Sequence, residues 1–483
     1  MTRSVSRSTG DVRPHRSSTR LVVWAAVLTS ANVVADVVIG SPMMAMPQLL
    51  EHFDTDQAAW LNASAMLAGA IWSPLLAKSA DVYGKRRVLV ATLLLACAGA
   101  LVCLVAPNSW IFLGGRFLQG AAFAAVFLTV ALVMQICTAR RAMAMVGLVT
   151  SSSSIVGIVE PFLTKPIIDA FGFRGVFAVA AVLAAVAAVG VRLVIPESPV
   201  RSAARIDVVG ALLLGVGLGA VLAYISLGAD RGWLSMAPLL VVGLVALSSW
   251  TFHVLRIAEP VIDIRALAGP ILLALVTLIL AAGSFRSMLQ LVGLVAYVPS
   301  ELGLGYGLGD GEAIATLFGA ANLGIAVGGI GAGWLAGRIG PAWPLLAGIV
   351  LGAAGTFAMV AGVSAPPLAI ACSGTLGIAA GAIGASGYNV ATSLAAPERQ
   401  GTTAGLVSIV VALGSVVFTI AGAEVLKASR VPDVIADGAP VSTAAGVHVY
   451  IALAGLLFVL ATIPAFTLAR SSRRPTRTAQ RTG

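Results

Sequence analysis

The sequence predicts an all-α integral membrane protein: two six-helix bundles with two further helices inserted between them, about fourteen spans in all. Three observations predict it. Of 483 residues, 59% are apolar and 10% charged, where soluble domains carry about 25% charged residues, so a water-facing surface cannot be assembled from this chain. Apolar runs long enough to cross a bilayer recur from residue 21 to residue 469. A charged turn, Ala80-Asp81-Val82-Tyr83-Gly84-Lys85-Arg86-Arg87, lies between two such runs, and a weaker copy, Gly333-Trp334-Leu335-Ala336-Gly337-Arg338-Ile339-Gly340, lies between two later ones.

A ruler of about 20 apolar residues per crossing places the spans near 21–47, 57–77, 88–106, 110–136, 143–165, 174–195, 207–228, 236–256, 270–298, 312–337, 343–363, 366–394, 402–426 and 446–469. Lysine and arginine set the orientation. With both termini inside, 23 of the 30 basic residues fall on the cytoplasmic side, and only Arg174, Arg231, Lys427 and Arg430 fall outside. The remaining three, Arg116, Lys165 and Arg286, lie within spans. That bias is the positive-inside pattern, so both termini are expected in the cytoplasm and the chain in the plasma (cytoplasmic) membrane.

The two turns join spans 2 and 3 and spans 10 and 11. Removing spans 7 and 8 puts both at the same place in a six-span unit. The expected organisation is a cytoplasmic basic tail at 1–20, an N-terminal bundle at 21–200, two inserted helices and linkers at 201–265, a C-terminal bundle at 266–469 and a second basic tail at 470–483. The first apolar run exceeds a signal-peptide core and reads as a retained span.

Composition excludes several function classes. The net charge of +10 sits mostly in the tails and turns, with no aromatic or folded platform for nucleic acid. Cys97, Cys103, Cys137 and Cys372 lie in or beside apolar runs without CxxC spacing, which indicates neither a disulfide framework nor a zinc site. There is no GxxxxGK[ST] phosphate loop. The longest outer loop, about 427–445, holds Asp433 and Asp437 but no nucleophile–base pair, so no enzyme is expected, and no folded domain is left for a sensor.

Charged groups within spans cost about 2.5–3.5 kcal/mol each at mid-bilayer, so they face a cavity or a partner. Asp36 stands about 22 Å along span 1, with Asn32 one turn earlier on the same face. A carboxylate taken out of water holds its proton more readily. Asp36 therefore reads as a proton-titrating group that attracts a cationic substrate, or as a structural partner for Arg116. Arg116, about 9 Å inside the outer end of span 4, stays protonated and reads as a modulator of a nearby carboxylate or as a fixed ion pair. Glu160 and Lys165 are roughly 140° apart on a straight helix. Glu160 reads as a second titrating or substrate-contacting carboxylate, while Lys165 snorkels to the outer surface or joins the site. Arg286, mid-span 9, pairs across the bundle with Asp36 or Glu160 or meets an anionic group on the substrate. No histidine lies deep enough to relay protons, so coupling rests on carboxylates. Asp81, Gly84, Lys85, Arg86 and Arg87 in the first turn, with Gly333, Arg338 and Gly340 in its copy, read as cytoplasmic gates. The glycines before the second turn give span 10 a small-residue face for close packing.

These residues resemble the major facilitator superfamily, in particular its fourteen-span drug:proton antiporter branch. Its signature turn, roughly G-x-L-x-D-R-x-G-R-R, is similar to Ala77-Lys78-Ser79-Ala80-Asp81-Val82-Tyr83-Gly84-Lys85-Arg86, which keeps the aspartate, second glycine and basic pair. Gly115-Arg116-Phe117-Leu118-Gln119-Gly120, Pro196-Glu197-Ser198 and Pro397-Glu398-Arg399-Gln400-Gly401 also match. The antiporter run G-P-x-x-G-G is replaced by Glu160-Pro161-Phe162-Leu163-Thr164-Lys165, which keeps only the proline. The resemblance implies a monomeric secondary transporter in the lipid bilayer, with no cofactor and the proton gradient as energy source. It implies efflux of small amphipathic, cationic organic compounds by alternating access. The altered run and Arg286 favour the alternative, export of an endogenous lipid, antibiotic or metabolite of anionic or zwitterionic character.

Overall fold

The computed structural model describes residues 18–471 except 56–57, 204–205, 258, 261, 263–268, 309–310 and 437–438. The two basic tails thus lie almost wholly outside the described residues. Helix α1 (Ser18–Gly40) is followed by a 3-10 turn, Ser41–Ala45, and α2 (Met46–His52). Then come α3 (Ala58–Tyr83), α4 (Lys85–Val105), α5 (Ser109–Gln119), α6 (Ala124–Ile136) and α7 (Ala139–Val194). The inserted pair is α8 (Val208–Arg231) and α9 (Ala237–Arg256). The second half runs α10 (Gly269–Ala296), α11 (Gly311–Ile339), α12 (Ala342–Gly362), α13 (Pro366–Leu394), α14 (Gln400–Ala428) and α15 (Ala444–Ser471).

Among the described residues, 13 apolar helical stretches are long enough to cross a membrane, two of them within α7. Helix α3, 26 residues, supplies a further one. The all-α membrane fold expected from the sequence is what the chain adopts. Spans 5 and 6 run together as α7, broken only at Gly172, whose φ of 66° reverses the chain. Pro161 and Pro166 do not end the helix. The expected outer loop at 427–445 is a short hairpin, β1 (Arg430–Ala436) antiparallel to β2 (Ala439–Ser442). The Tyr306 hydroxyl ties it down by donating to the Ser442 carbonyl at 2.6 Å.

Local chemistry explains the breaks. Pro42 has no N–H to continue α1. Gly84 adopts φ 107°, which L side chains rarely reach, and lets the chain turn sharply from α3 into α4. Asn108 caps α5, accepting from the Ile111 amide at 3.0 Å.

Helices α1, α4 and α7 pack together in the first half, with α3, α5 and α6 around them; α11, α12 and α13 pack likewise in the second, beside α10, α14 and α15. Helices α8 and α9 pair with each other, and α8 lies on α3 and the edge of α14. Asp207 caps α8 through the Gly210 amide at 2.7 Å, and its Oδ1 lies 2.8 Å from His253 Nε2 of α9.

The turns at Gly84, Thr138, Gly340 and Ala396 share one end of the molecule, here termed the basic end for Lys85, Arg86, Arg87, Arg140, Arg338 and Arg399. The two halves meet there. Asn389 of α13 donates to the Met143 carbonyl at 3.2 Å, and Gln135 to the Pro397 carbonyl at 2.6 Å. Glycines of α7 and α11 bring those backbones into contact. Further along, Gly157 of α7 still faces Asn322 of α11, while α1 and α10 have no extensive contact among the described residues. The hydrogen bonds and the closest backbone contacts between the halves thus gather at the basic end.

Candidate functional site

The central group is built on α1, α7 and α10. Asp36 of α1 faces Ser153 of α7 and lies within charge range of Glu160 of α7 and Arg286 of α10. Its Oδ2 is buried without a hydrogen-bond partner. Ser153 and Glu160 are seven residues apart, two helical turns, so one face of α7 presents both. Glu160 accepts a hydrogen bond from the Ser41 hydroxyl, at the break where α1 ends. Two carboxylates thus stand on the first half, one a turn before the end of α1 and the other beside its broken end.

Arg286 stands opposite, near the middle of α10. Its neighbours Ser284 and Ser287 turn the other way, into α14 and α15: Ser284 donates to the Ala454 carbonyl at 2.6 Å, and Ser287 to the Tyr450 hydroxyl at 2.9 Å. Arg286 is exposed although its helix lies deep in the bundle, as a side chain facing the space between the halves would be. Among the described residues it has no hydrogen bond or ion pair, only the longer-range attraction of Asp36. One turn on, on the same face, Gln290 has a buried Oε1 without a partner.

Arg116 is not part of this group. It is fully buried, and its Nη1 donates to the Val38 carbonyl and to Gln119 Oε1, each at 2.9 Å, while Nη2 donates to the Ile39 carbonyl at 3.2 Å. The cause is Pro42. It stands four residues after Val38 and cannot donate to that carbonyl, and a bare carbonyl inside a membrane protein needs another donor. Arg116 supplies it, at the negative end of α1. The structure therefore does not pair Arg116 with Asp36; it splints the broken helix.

Asn32 is also structural in its contacts. It is fully buried, donating to the Val149 carbonyl at 3.2 Å and accepting from Thr129 at 3.4 Å, so it joins α1 to α6 and α7. Lys165 is exposed and lies 3.9 Å from Asp169, one turn on. The structure keeps it on the outer surface, apart from Glu160.

At the basic end, Asp81 crosses between the halves. Its carboxylate accepts from the Gly401 amide at 2.9 Å and from the Thr402 amide and hydroxyl, each at 2.8 Å. It thereby caps the N-terminus of α14, where bare N–H groups and the helix dipole favour an anion. Lys85, fully buried, lies 3.0 Å away in an ion pair that lacks hydrogen-bond alignment. Arg86 and Arg87 stay within their own half: Glu197 Oε1 accepts from the Arg86 amide at 2.9 Å, and Oε2 lies 3.7 Å from the Nε of each arginine. Gly84 is required here, since a Cβ would meet the Glu197 carboxyl at 2.9 Å.

The second turn works differently. Arg338 stacks on its own helix, 3.5 Å from the Trp334 ring centroid, and has no hydrogen bond or ion pair to the other half among the described residues. Gly333 makes the contact: a Cβ there would stand 2.8 Å from the Gly147 Cα and 2.7 Å from the Met143 carbonyl. Gly340, φ 88°, serves the turn itself. Of the small-residue face expected on span 10, Gly328 meets α13, Gly329 meets Ser151 of α7, Gly333 meets α7 and Gly331 meets nothing within 4 Å.

Residue-by-residue reading of the sequence missed Ser41, Ser153, Gln290 and Thr402. Glu197 was visible only as part of a motif. Pro42 beside Ser41 and the four-residue spacing of Arg286 and Gln290 were the available signals.

Two helical halves that meet at one end, with charged side chains on membrane-spanning helices of each, are the arrangement of a membrane transporter. The chain belongs to the Major Facilitator Superfamily, whose pattern it matches over residues 28–419. It is 28% identical over 340 residues to the uridine/deoxyuridine transporter of Lactococcus lactis, covering 68% of this chain and 70% of that protein. It is 30% identical over 368 residues to the multidrug resistance protein B homolog of Mycobacterium tuberculosis, covering 71% of this chain and 64% of that protein. The chain thus spans about two thirds of these relatives' lengths. The crystal structure of the human organic anion transporter MFSD10 (TETRAN) superposes with a TM-score of 0.61 at 17% identity, over 92% of this chain and 99% of that one. The family is one of membrane transporters, not enzymes.

Proposed function

We propose that this chain is a proton-coupled exporter of amphipathic organic compounds that carry a positive charge, driven by the proton gradient without a cofactor. The observation that carries the reading is that Asp36 and Glu160 lie within charge range of one another on the first half, while the halves are held together at the basic end. Neither carboxylate has a cation within ion-pair distance among the described residues, so each is available to a proton or to a cationic cargo. The likeness to a multidrug resistance protein supports this over nucleoside transport, because nucleosides carry no charge for two carboxylates to recognise.

In this reading the basic end is cytoplasmic, as are both termini, and the structure stands open to the outside of the cytoplasmic membrane. Protons reach Asp36 and Glu160 as cargo leaves; the halves then rock about the midplane. The protein acts as a monomer in the lipid bilayer and binds no nucleic acid.

The test is transport of tetraphenylphosphonium by purified protein in liposomes under an imposed pH gradient. Wild-type protein is expected to accumulate the cation against its gradient and to lose that accumulation when the pH difference is collapsed. Asp36→Asn is expected to abolish accumulation. Transport indifferent to the pH difference would sink the coupling, and full activity of Asp36→Asn would move the coupling to Glu160.

A further inference from the structure

The three charged groups of the central site are not all of one sign, and their placement is ordered. Asp36 and Glu160 stand on the first half, and Arg286 stands on the second. A guanidinium in a membrane-spanning helix is expensive and rarely left without a partner. Arg116 shows how this chain satisfies one: three hydrogen bonds and complete burial. Arg286 has none of these. Its side chain is exposed, and no described residue accepts from it. Around it, two buried polar atoms also lack partners: Asp36 Oδ2 across the space and Gln290 Oε1 one turn along α10. A little further along that face the Phe318 ring lies over Gly293, its Cζ 3.4 Å from where a Cβ would be, which places an apolar surface beside the polar atoms.

A cargo that is only a cation uses part of this arrangement and leaves the rest unmatched. It satisfies a carboxylate but approaches an unpaired guanidinium of its own sign, in a setting where water screens charge weakly. An anionic group separated from a cationic one by an apolar body meets all the unsatisfied groups together. A planar carboxylate or phosphate also matches the fork of donors that arginine presents.

We propose that Arg286 is the binding point for an anionic group on the cargo, and that the site selects amphipathic zwitterions, with the cargo's cation against Asp36 and Glu160. Resting on the export reading above, this narrows the substrate class. Bound cargo replaces the direct attraction between Asp36 and Arg286 with two contacts, one to each half. Because those two residues belong to different halves, both halves grip the same molecule, and its arrival and departure bear directly on how the halves sit.

The test uses a matched pair of dyes. Rhodamine B carries a delocalised cation and a free carboxylate; its ethyl ester keeps the cation and masks the carboxylate. Binding of each to purified protein in lipid nanodiscs is followed by fluorescence anisotropy. Wild-type protein is expected to bind rhodamine B more tightly than the ester. Arg286→Gln is expected to weaken rhodamine B by about tenfold or more, the loss of a charge-assisted hydrogen bond, while leaving the ester as tight or tighter. Arg286→Lys, which keeps the charge but not the fork, is expected to fall between. Ester binding in the same sample reports that the variant is folded.

Equal weakening of both dyes, or no change in either, overturns the inference. Wild-type binding of the ester with rhodamine B excluded also overturns it and leaves proton-coupled export standing. Dye discrimination that persists in a protein whose transport ignores the pH gradient does the reverse: it sinks the coupling and keeps the zwitterion site.

Discussion

The α3–α4 turn and the α11–α12 turn occupy the same place in the two halves, and both help hold the basic end shut, but by opposite physics. At the first, a carboxylate reaches into the bare N-terminus of α14. At the second, side chains are absent: Gly333 lies against Gly147, and the Gly337 position against the Arg140 backbone. The difference bears on how each contact parts. When the halves separate, Asp81 and the amides of Gly401 and Thr402 exchange their bonds for bonds to water, so the net cost is modest. The glycine seam works through shape; it sets how closely α7 and α11 approach and tolerates no added atom. One contact is a releasable latch, and the other is the surface on which the halves seat.

The comparison is broken most severely at Asp81. Lys85 is fully buried and lies against that carboxylate, so Asp81→Ala strands an ammonium as well as uncapping α14. Removing one member of a buried pair costs about 3–5 kcal/mol. A large fall in thermal stability is expected, together with separation of the basic ends read by spin labels on α3 and α14. Asp81→Ala with Lys85→Met removes the stranded charge and should recover part of the stability but not the closure. If the double variant closes as the wild type does, Asp81 serves to neutralise Lys85 and is no latch.

The glycine seam comes next. Gly333→Val places atoms where the Gly147 Cα and Met143 carbonyl now stand, and overpacking costs about 1–3 kcal/mol. Because the cost falls only on the closed arrangement, the basic ends are expected to stand apart with little change in overall stability. Substrate transport should fall with them. Gly331→Val is the control, since nothing lies within 4 Å of that position. A closed basic end in Gly333→Val would show that the seam has slack and that the seating surface lies elsewhere.

What was legible in the sequence follows the same division. Asp81 stood out because a charged turn between apolar runs admits few readings, yet its partners were hidden: helix N-terminal amides belong to the backbone, and Thr402 has no distinguishing neighbour. Span number and length followed from hydropathy alone, since a bilayer imposes one length on every crossing. The intramembrane charges were visible as costs, but their partners depend on which helices adjoin. Arg116 read as a mate for Asp36, whereas Pro42 had already created its true acceptor at Val38. The Lys165–Asp169 spacing of four was present in the sequence; it is the exposure of both side chains that leaves Lys165 out of the site. Arg286 had two open readings, and only the fold brings it opposite Asp36.

The mildest change sharpens the comparison most. Thr402→Val removes the hydroxyl that donates to Asp81 at 2.8 Å and leaves both amide bonds in place. A single such bond is worth about 1 kcal/mol, so a latch made of three bonds should weaken without opening. The expected outcome is a modest shift toward the open basic end and faster interconversion, seen as a changed transport rate rather than its loss. Arg87→Gln is the companion: its side chain is 59% exposed and lies 3.7 Å from Glu197, and exposed pairs contribute about 0–1 kcal/mol. It should leave the conformational balance unmoved, because its partner belongs to the same half. If Arg87→Gln shifts the balance more than Thr402→Val, the force between the halves passes through the arginine clasp on Glu197, and the division between latch and seat would have to be redrawn.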